Sequence, residues 1–155
     1  EFKTFLKLSP PLRLEEDRVS LVRGIKENLI DVIVSDHIPE DEESKRLPFA
    51  RAATGAIGIE TLLPLALEMH HNESLPLNKI IETLTINPAK ILQINKGTLK
   101  KGSDGDICIL DLDAPWVVKA ENLKSKSKNT AIEGRKLQGK VLMTFLNGKL
   151  VFNKQ

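Results

Sequence analysis

Asp36 and His37 stand where an apolar run stops. The run Val32-Ile33-Val34 reads as a strand, and Pro39 then breaks the chain into the acidic stretch from Glu40 to Lys45. In parallel α/β architectures the loops at the carboxyl ends of strands converge on one face and gather functional side chains. A carboxylate placed there suits a metal ligand, or a general base that draws a proton from a metal-bound water. Helix capping or a turn hydrogen bond is the commoner use of such an aspartate. Ser9, followed by Pro10 and Pro11, stands at a second strand end. Gly55 and Gly58 precede a helix; they could turn backbone N–H groups toward an anion such as a carboxylate, or serve a tightly packed turn, and the two readings weigh equally. His70 and His71 fall at the polar end of a helix, where a cation meets the negative end of the dipole. Glu40 to Lys45 reads as a solvated loop, of the kind that can close over a neighbouring site. Cys108, inside the apolar run Ile107 to Leu110, reads as a core residue and not as a nucleophile.

The elements that must position these residues fall into two stretches. Phe2 to Leu8 alternates loosely and reads as a short strand ended by the two prolines. Leu14 to Asn28 carries Val19, Leu21, Val22 and Ile25 at helical spacing, and Leu29 to Val34 is a continuous apolar run of the kind covered on both faces. Strand, helix and strand make a βαβ unit, whose right-handed crossover sets the strands parallel. Ile57 to His71 is apolar around most of its circumference and reads as a buried helix with Pro64 near its start; Leu77 to Leu92 reads as another, with a restart at Asn87-Pro88. From Gly97 onward turn signals separate short strands: Ile107 to Leu110, Trp116 to Val118, Lys140 to Phe145 and Lys149 to Phe152. Asn147-Gly148 between two apolar runs is a hairpin signal. The expected fold class is therefore α/β up to about residue 95, with a mostly β portion over 96–155.

Composition bounds the function classes. At 155 residues with 41% hydrophobic and 28% charged residues the chain is globular in type, and no apolar run approaches the roughly 20 residues of a membrane span. Cys108 is the single cysteine, so an intrachain disulfide or a cysteine-based zinc site is excluded, and a soluble protein of a reducing cytoplasm is the expectation. Residues 119–155 hold nine Lys/Arg against two Glu, but these cations are scattered and accompanied by only Phe145 and Phe152 as stacking partners. That is a poor match to a nucleic-acid surface, and neither nucleic acid nor membrane is expected as a partner.

Seven ordered segments carry a family resemblance: KLSPPLR, DVIVSDHIPEDEESK, PFARAATGAIGIETLLPLAL, LTINPAKIL, GTLKKGSDGDICILDLD, SKSKNT and GKVLMTFLNGKLVF. Together they resemble the C-terminal part of the dihydroorotases, amidohydrolase-superfamily enzymes of pyrimidine biosynthesis; the allantoinases and hydantoinases share the layout. The resemblance implies the last strands and helices of a (β/α)8 barrel over residues 1–95, followed by a small composite β-rich domain over 96–155. It implies a metal-dependent hydrolase acting on carbamoyl-aspartate and dihydroorotate, with one or two zinc ions. Asp36 matches the family aspartate that ligates the metal and acts as general base and acid at the ring nitrogen, and His37 matches a structural histidine beside it. Thr54 and Gly55 match positions whose backbone holds the substrate.

Two positions depart from the pattern. The family usually has asparagine where Ser9 stands and histidine where Glu40 stands, both contacting substrate; a carboxylate at 40 would repel a dicarboxylate where histidine would donate a hydrogen bond. The other metal ligands of the family have no counterpart in this chain, and Asp36, His37 and two helix-end histidines fall short of the three or four ligands zinc requires. Two readings follow: a piece of a working dihydroorotase, or a dihydroorotase-like scaffold without catalysis, docked on aspartate carbamoyltransferase. In either case two strands cannot close a barrel, so self-association or a complementing chain is expected.

Overall fold

The computed structural model describes residues 2–73 and 75–154. Among these residues five α-helices precede three strands: α1 (Glu15–Lys26), α2 (Glu42–Arg46), α3 (Leu62–Glu73), α4 (Leu77–Leu84), α5 (Ile86–Ile91), β1 (Ile107–Val117), β2 (Lys136–Leu146) and β3 (Lys149–Asn153). The chain packs as two compact units, one of Glu1–Ser20, Val34–Leu62 and Trp116–Leu137, the other of Leu21–Ile33, Leu63–Pro115 and Gln138–Gln155.

In the second unit Ile25, Ala66, Leu75 and Ile80 form the core, with Ile30, Ile33, Met69 and Leu84 packed against it. The residues come from α1, α3 and α4 at the helical spacing the sequence shows, from the segment after α1 and, for Leu75, from the link between α3 and α4. The restart expected at Asn87-Pro88 is a break between α4 and α5 at Thr85 (φ −130°, ψ −84°). Pro88 has no N–H to donate and its ring would strike the carbonyl of Leu84, so a regular continuous helix is disfavoured there.

The sheet runs in the order β1-β2-β3. Asn147 (φ 51°) and Gly148 (φ 74°) both take positive φ, as a tight primed turn requires, and β2 pairs antiparallel with β3 from Leu146↔Lys149 onward. Pro115 lies within β1, which is tolerable because β1 is an edge strand. The two runs read separately at 107–110 and 116–118 are thus one strand. Helix α3 comes so close to β2 that a Cβ on Gly139 would sit 2.5 Å from Leu67 Cδ1.

Three expectations are corrected. Phe2 to Leu8 is not a strand; Thr4–Leu6 is a turn of 3-10 helix. Leu29 to Val34 forms no ladder: the Leu29 and Ile30 N–H groups donate back to the Gly24 carbonyl at the end of α1 (2.8 and 3.2 Å), and the later backbone meets the α4–α5 region through Ile33 N–H to the Thr83 carbonyl (3.2 Å) and Asn87 Nδ2 to the Asp31 carbonyl (2.9 Å). It is not covered on both faces either, since Leu29 is 74% and Val34 71% exposed. An apolar run states which side chains want cover, but a strand exists only where a neighbour supplies ladder partners. Among the described residues the parallel pairing is an isolated bridge, His37 with Ala56. Cys108 is exposed, not core: burial along β1 alternates only from Leu110 onward, and its Sγ lies 3.8 Å from Thr144 Oγ1. Among the described residues no helix is long and apolar enough to cross a membrane.

Candidate functional site

Asp36, the first candidate, is an exposed residue at φ 42°, in the left-handed region. Non-glycine residues are uncommon there; aspartate tolerates it best, and such outliers concentrate at functional sites. What holds it is the alignment of two backbone segments. His37 bridges Ala56, and the Ile38 N–H donates to the Ala56 carbonyl at 2.9 Å. The Gly58 N–H donates to His37 Nδ1 at 3.1 Å, so that nitrogen carries a lone pair and the ring proton sits on Nε2. His37 therefore fixes the residue after Asp36 to the following loop.

The two glycines are explained by this approach. A Cβ at Gly58 would lie 2.7 Å from the Ser35 carbonyl oxygen, and one at Gly55 (φ 129°) would lie 2.6 Å from Ile38 Cγ2. Their N–H groups are both committed inside the chain, Gly58 to His37 and Gly55 to the Lys7 carbonyl at 3.0 Å. Of the two sequence readings, close packing is the one the geometry realises, and the anion-binding one is set aside.

Two residues that the sequence did not single out organise the same region. Lys45, read as part of a solvated loop, is fully buried: its Nζ donates to the carbonyls of Gly55 (2.9 Å), Ala53 (3.0 Å) and Lys7 (3.3 Å). Burial pushes its ammonium below the usual lysine range, the nearby Lys7 charge adds to that, and the Glu40 carboxylate opposes it. Helix α2 is what places Lys45, and Asp41 caps that helix by accepting the Ser44 N–H at 2.7 Å. Asn129, also buried, donates from Nδ2 to the carbonyls of Ile38 (3.0 Å) and Gly55 (3.3 Å), while its own carbonyl accepts the Ile57 N–H at 3.3 Å. Its Oδ1 has no partner among the described residues; flipping the amide would only set oxygen against two carbonyls. No periodicity marks either residue as buried. For Asn129 the available signal was its place in the SKSKNT segment.

The candidates Asp36, Glu40, Thr54 and Gly55 thus belong, with Ser9, to one compact unit. Ser9 is exposed two residues beyond Lys7, whose carbonyl takes both the Gly55 N–H and the Lys45 ammonium. Thr54 lies between two carbonyls held by Lys45, and Glu40 is half-buried near that ammonium's charge. His70 and His71 belong to the other unit; His70 Nδ1 donates to the Leu75 carbonyl (2.9 Å) and His71 Nε2 to that of Leu112 (3.2 Å). Among the described residues no group of three or more His, Cys, Asp or Glu could hold a metal ion. Asp36 offers a single carboxylate, so the described residues do not compose a metal site by themselves.

The chain is 45% identical to a dihydroorotase of Ehrlichia chaffeensis over 149 residues, covering 96% of this chain and 33% of that protein. It is 41% identical to a dihydroorotase of Anaplasma phagocytophilum over 155 residues, 35% of that protein. The solved L-hydantoinase (dihydropyrimidinase) from Arthrobacter aurescens superposes with a TM-score of 0.88 at 34% identity, over 99% of this chain and 35% of that one. The chain therefore spans about a third of the length of the relatives it matches. The α/β fold class expected from the sequence, part of an amidohydrolase barrel with a small β-rich portion, is the fold of these neighbours. Residues 8–151 match the model of the amidohydrolase family, and the chain belongs to that family.

Proposed function

We propose that this chain is part of a dihydroorotase, a metal-dependent hydrolase of pyrimidine biosynthesis that interconverts N-carbamoyl-L-aspartate and dihydroorotate in the cytoplasm. The observation that carries the reading is the 45% identity to a dihydroorotase across 96% of the chain. In this reading residues 1–95 supply the end of the barrel and 96–155 the composite β-rich domain, which is supported by helices that end at Ile91 and strands that begin at Ile107. Zinc is the expected metal, one or two ions, with the ligands other than Asp36 outside this chain.

As the ring opens Asp36 takes a proton from the attacking water and delivers it to the departing ring nitrogen; on closure it takes the proton back from that nitrogen. The left-handed backbone at Asp36, held by the His37–Gly58 hydrogen bond, gives the carboxylate a fixed direction. Ser9, Glu40 and Thr54 contact the substrate. Gly55, its N–H and carbonyl engaged internally, shapes the loop that Thr54 presents. The repulsion expected between Glu40 and a dicarboxylate is softened by the Lys45 ammonium, whose charge interacts with it.

The test is turnover of carbamoyl-aspartate and dihydroorotate by the complete, metal-replenished protein beside its Asp36→Asn variant. Turnover lost in the variant supports the reading. Hydantoin turnover in place of dihydroorotate would favour the hydantoinase type, which the structural likeness to the Arthrobacter enzyme supports. No turnover from folded protein would favour a scaffold on aspartate carbamoyltransferase, the reading that Ser9 and Glu40 support.

A further inference from the structure

A buried ammonium with no carboxylate among its hydrogen-bond partners is a poor stabiliser, because carbonyl dipoles return only part of the hydration it gives up. A methionine of similar length would fill the same space without that cost. Lys45 nonetheless is fully buried and uses its three N–H donors on three carbonyls, those of Lys7, Ala53 and Gly55. Two of these flank Thr54. With the carbonyls on either side drawn onto one nitrogen, the peptide groups of Thr54 between them are fixed in direction. The third carbonyl, Lys7, also receives the Gly55 N–H, so the same ammonium ties the loop to the segment leading into Ser9. Lys7 extends the arrangement: its own Nζ donates to the carbonyls of Phe49 (2.9 Å), Ala50 (3.2 Å) and Ala52 (2.8 Å), clamping the stretch just before the loop.

We infer that Lys45 is a positioning residue for substrate: it aims the Thr54 backbone and sets the Ser9 segment beside it, an inference that rests on the proposed role of this loop. It touches no reacting atom, so it acts on binding and not on the chemical step. The test is made on the complete protein with Lys45→Met and Lys45→Arg, measuring KM and kcat for dihydroorotate and amide hydrogen exchange across residues 53–57. Losing hydrogen bonds from a charged donor predicts a KM raised about tenfold or more in Lys45→Met with kcat within about threefold. Exchange at 53–57 speeds up about tenfold while the rest of the protein keeps native protection. Lys45→Arg, which keeps the charge and its donors, gives the smaller KM change of the two. Unchanged KM in folded Lys45→Met, or kcat falling together with protection everywhere, would overturn the inference in favour of a merely structural lysine. So would failure of both variants to fold. If the wild-type protein turns over nothing, the proposed function falls, and the local exchange at 53–57 still decides whether Lys45 holds the loop.

Discussion

Lys45 lies buried among neutral carbonyls, whereas Lys96, ahead of β1, lies exposed between the carboxylates of Asp104 (2.7 Å) and Asp106 (2.5 Å). Burial drives the first ammonium below the ordinary lysine range; hydrogen bonds to Asp104 and Asp106 raise the second above it. The same side chain is thus asked for two things. Around Lys96 charge pairs with charge in water, an arrangement worth little to stability. Around Lys45 a charge is desolvated to orient backbone, which costs stability and is retained where geometry matters. The glycines divide in the same way: a Cβ on Gly55 would strike Ile38, while one on Gly148 in the hairpin would stand in open space.

The comparison breaks first, and most visibly, at the carboxylates. Asp36→Asn should lower turnover by about a thousandfold, whereas Asp106→Asn, in the hairpin region, should leave steady-state rates essentially unaltered. Comparable losses from both would show that catalysis is not confined to the unit of Asp36. Next come the glycines. Gly55→Ala combines a positive φ with a close contact and should cost about 2–4 kcal/mol in denaturant unfolding, against about 1 kcal/mol for Gly148→Ala, where only the φ of 74° is strained.

Alkaline pH sharpens the contrast between the lysines, because their shifts have opposite signs. Lys96 is raised, so its contribution is present below the unfolded lysine value and is lost as pH climbs through the higher folded one. Lys45 is lowered, so the folded state binds fewer protons than the unfolded, and stability rises with pH between its depressed value and the unfolded one. Melting curves of wild type, Lys45→Met and Lys96→Ala from about pH 8 to about pH 11 should show the variants diverging from wild type in opposite directions. The acid side belongs to Asp106, whose carboxyl is held below the ordinary aspartate range by the Asn147 N–H at 2.8 Å and by Lys96. Its grip on the hairpin is complete above the unfolded aspartate value and is lost as pH falls through the lower folded one. Exchange of the Asn147 amide should accelerate there before the β2–β3 ladder loosens. The smallest effect is Lys96→Ala at neutral pH, a change in melting temperature within about 2 °C.

What could be read in advance follows from how far the relevant partner lies along the chain. The Asn147-Gly148 turn was legible because two adjacent residues set its twist. The break between α4 and α5 was legible because Pro88 forbids a bond to a carbonyl four residues back. Residues 29–34 were misjudged because a strand's cover and ladder come from elsewhere, and Lys45 was misjudged because its three acceptors lie as far as 38 residues away. Gly55 and Gly58 were visible as glycines, but their reason, the closeness of Ile38 and Ser35, was not.

The sequence by itself determined the α/β class, helices α1, α3, α4 and α5, the hairpin and the ordered segments that mark an amidohydrolase, because propensity, turn chemistry and motif order are local properties of the chain. Only the tertiary structure decided that Asp36 sits in a left-handed backbone pinned by His37, and that a buried lysine and Asn129 grip the loop of Thr54 and Gly55. The physical reason is desolvation: whether a polar group is solvated or must find every partner inside depends on segments brought together from distant parts of the chain.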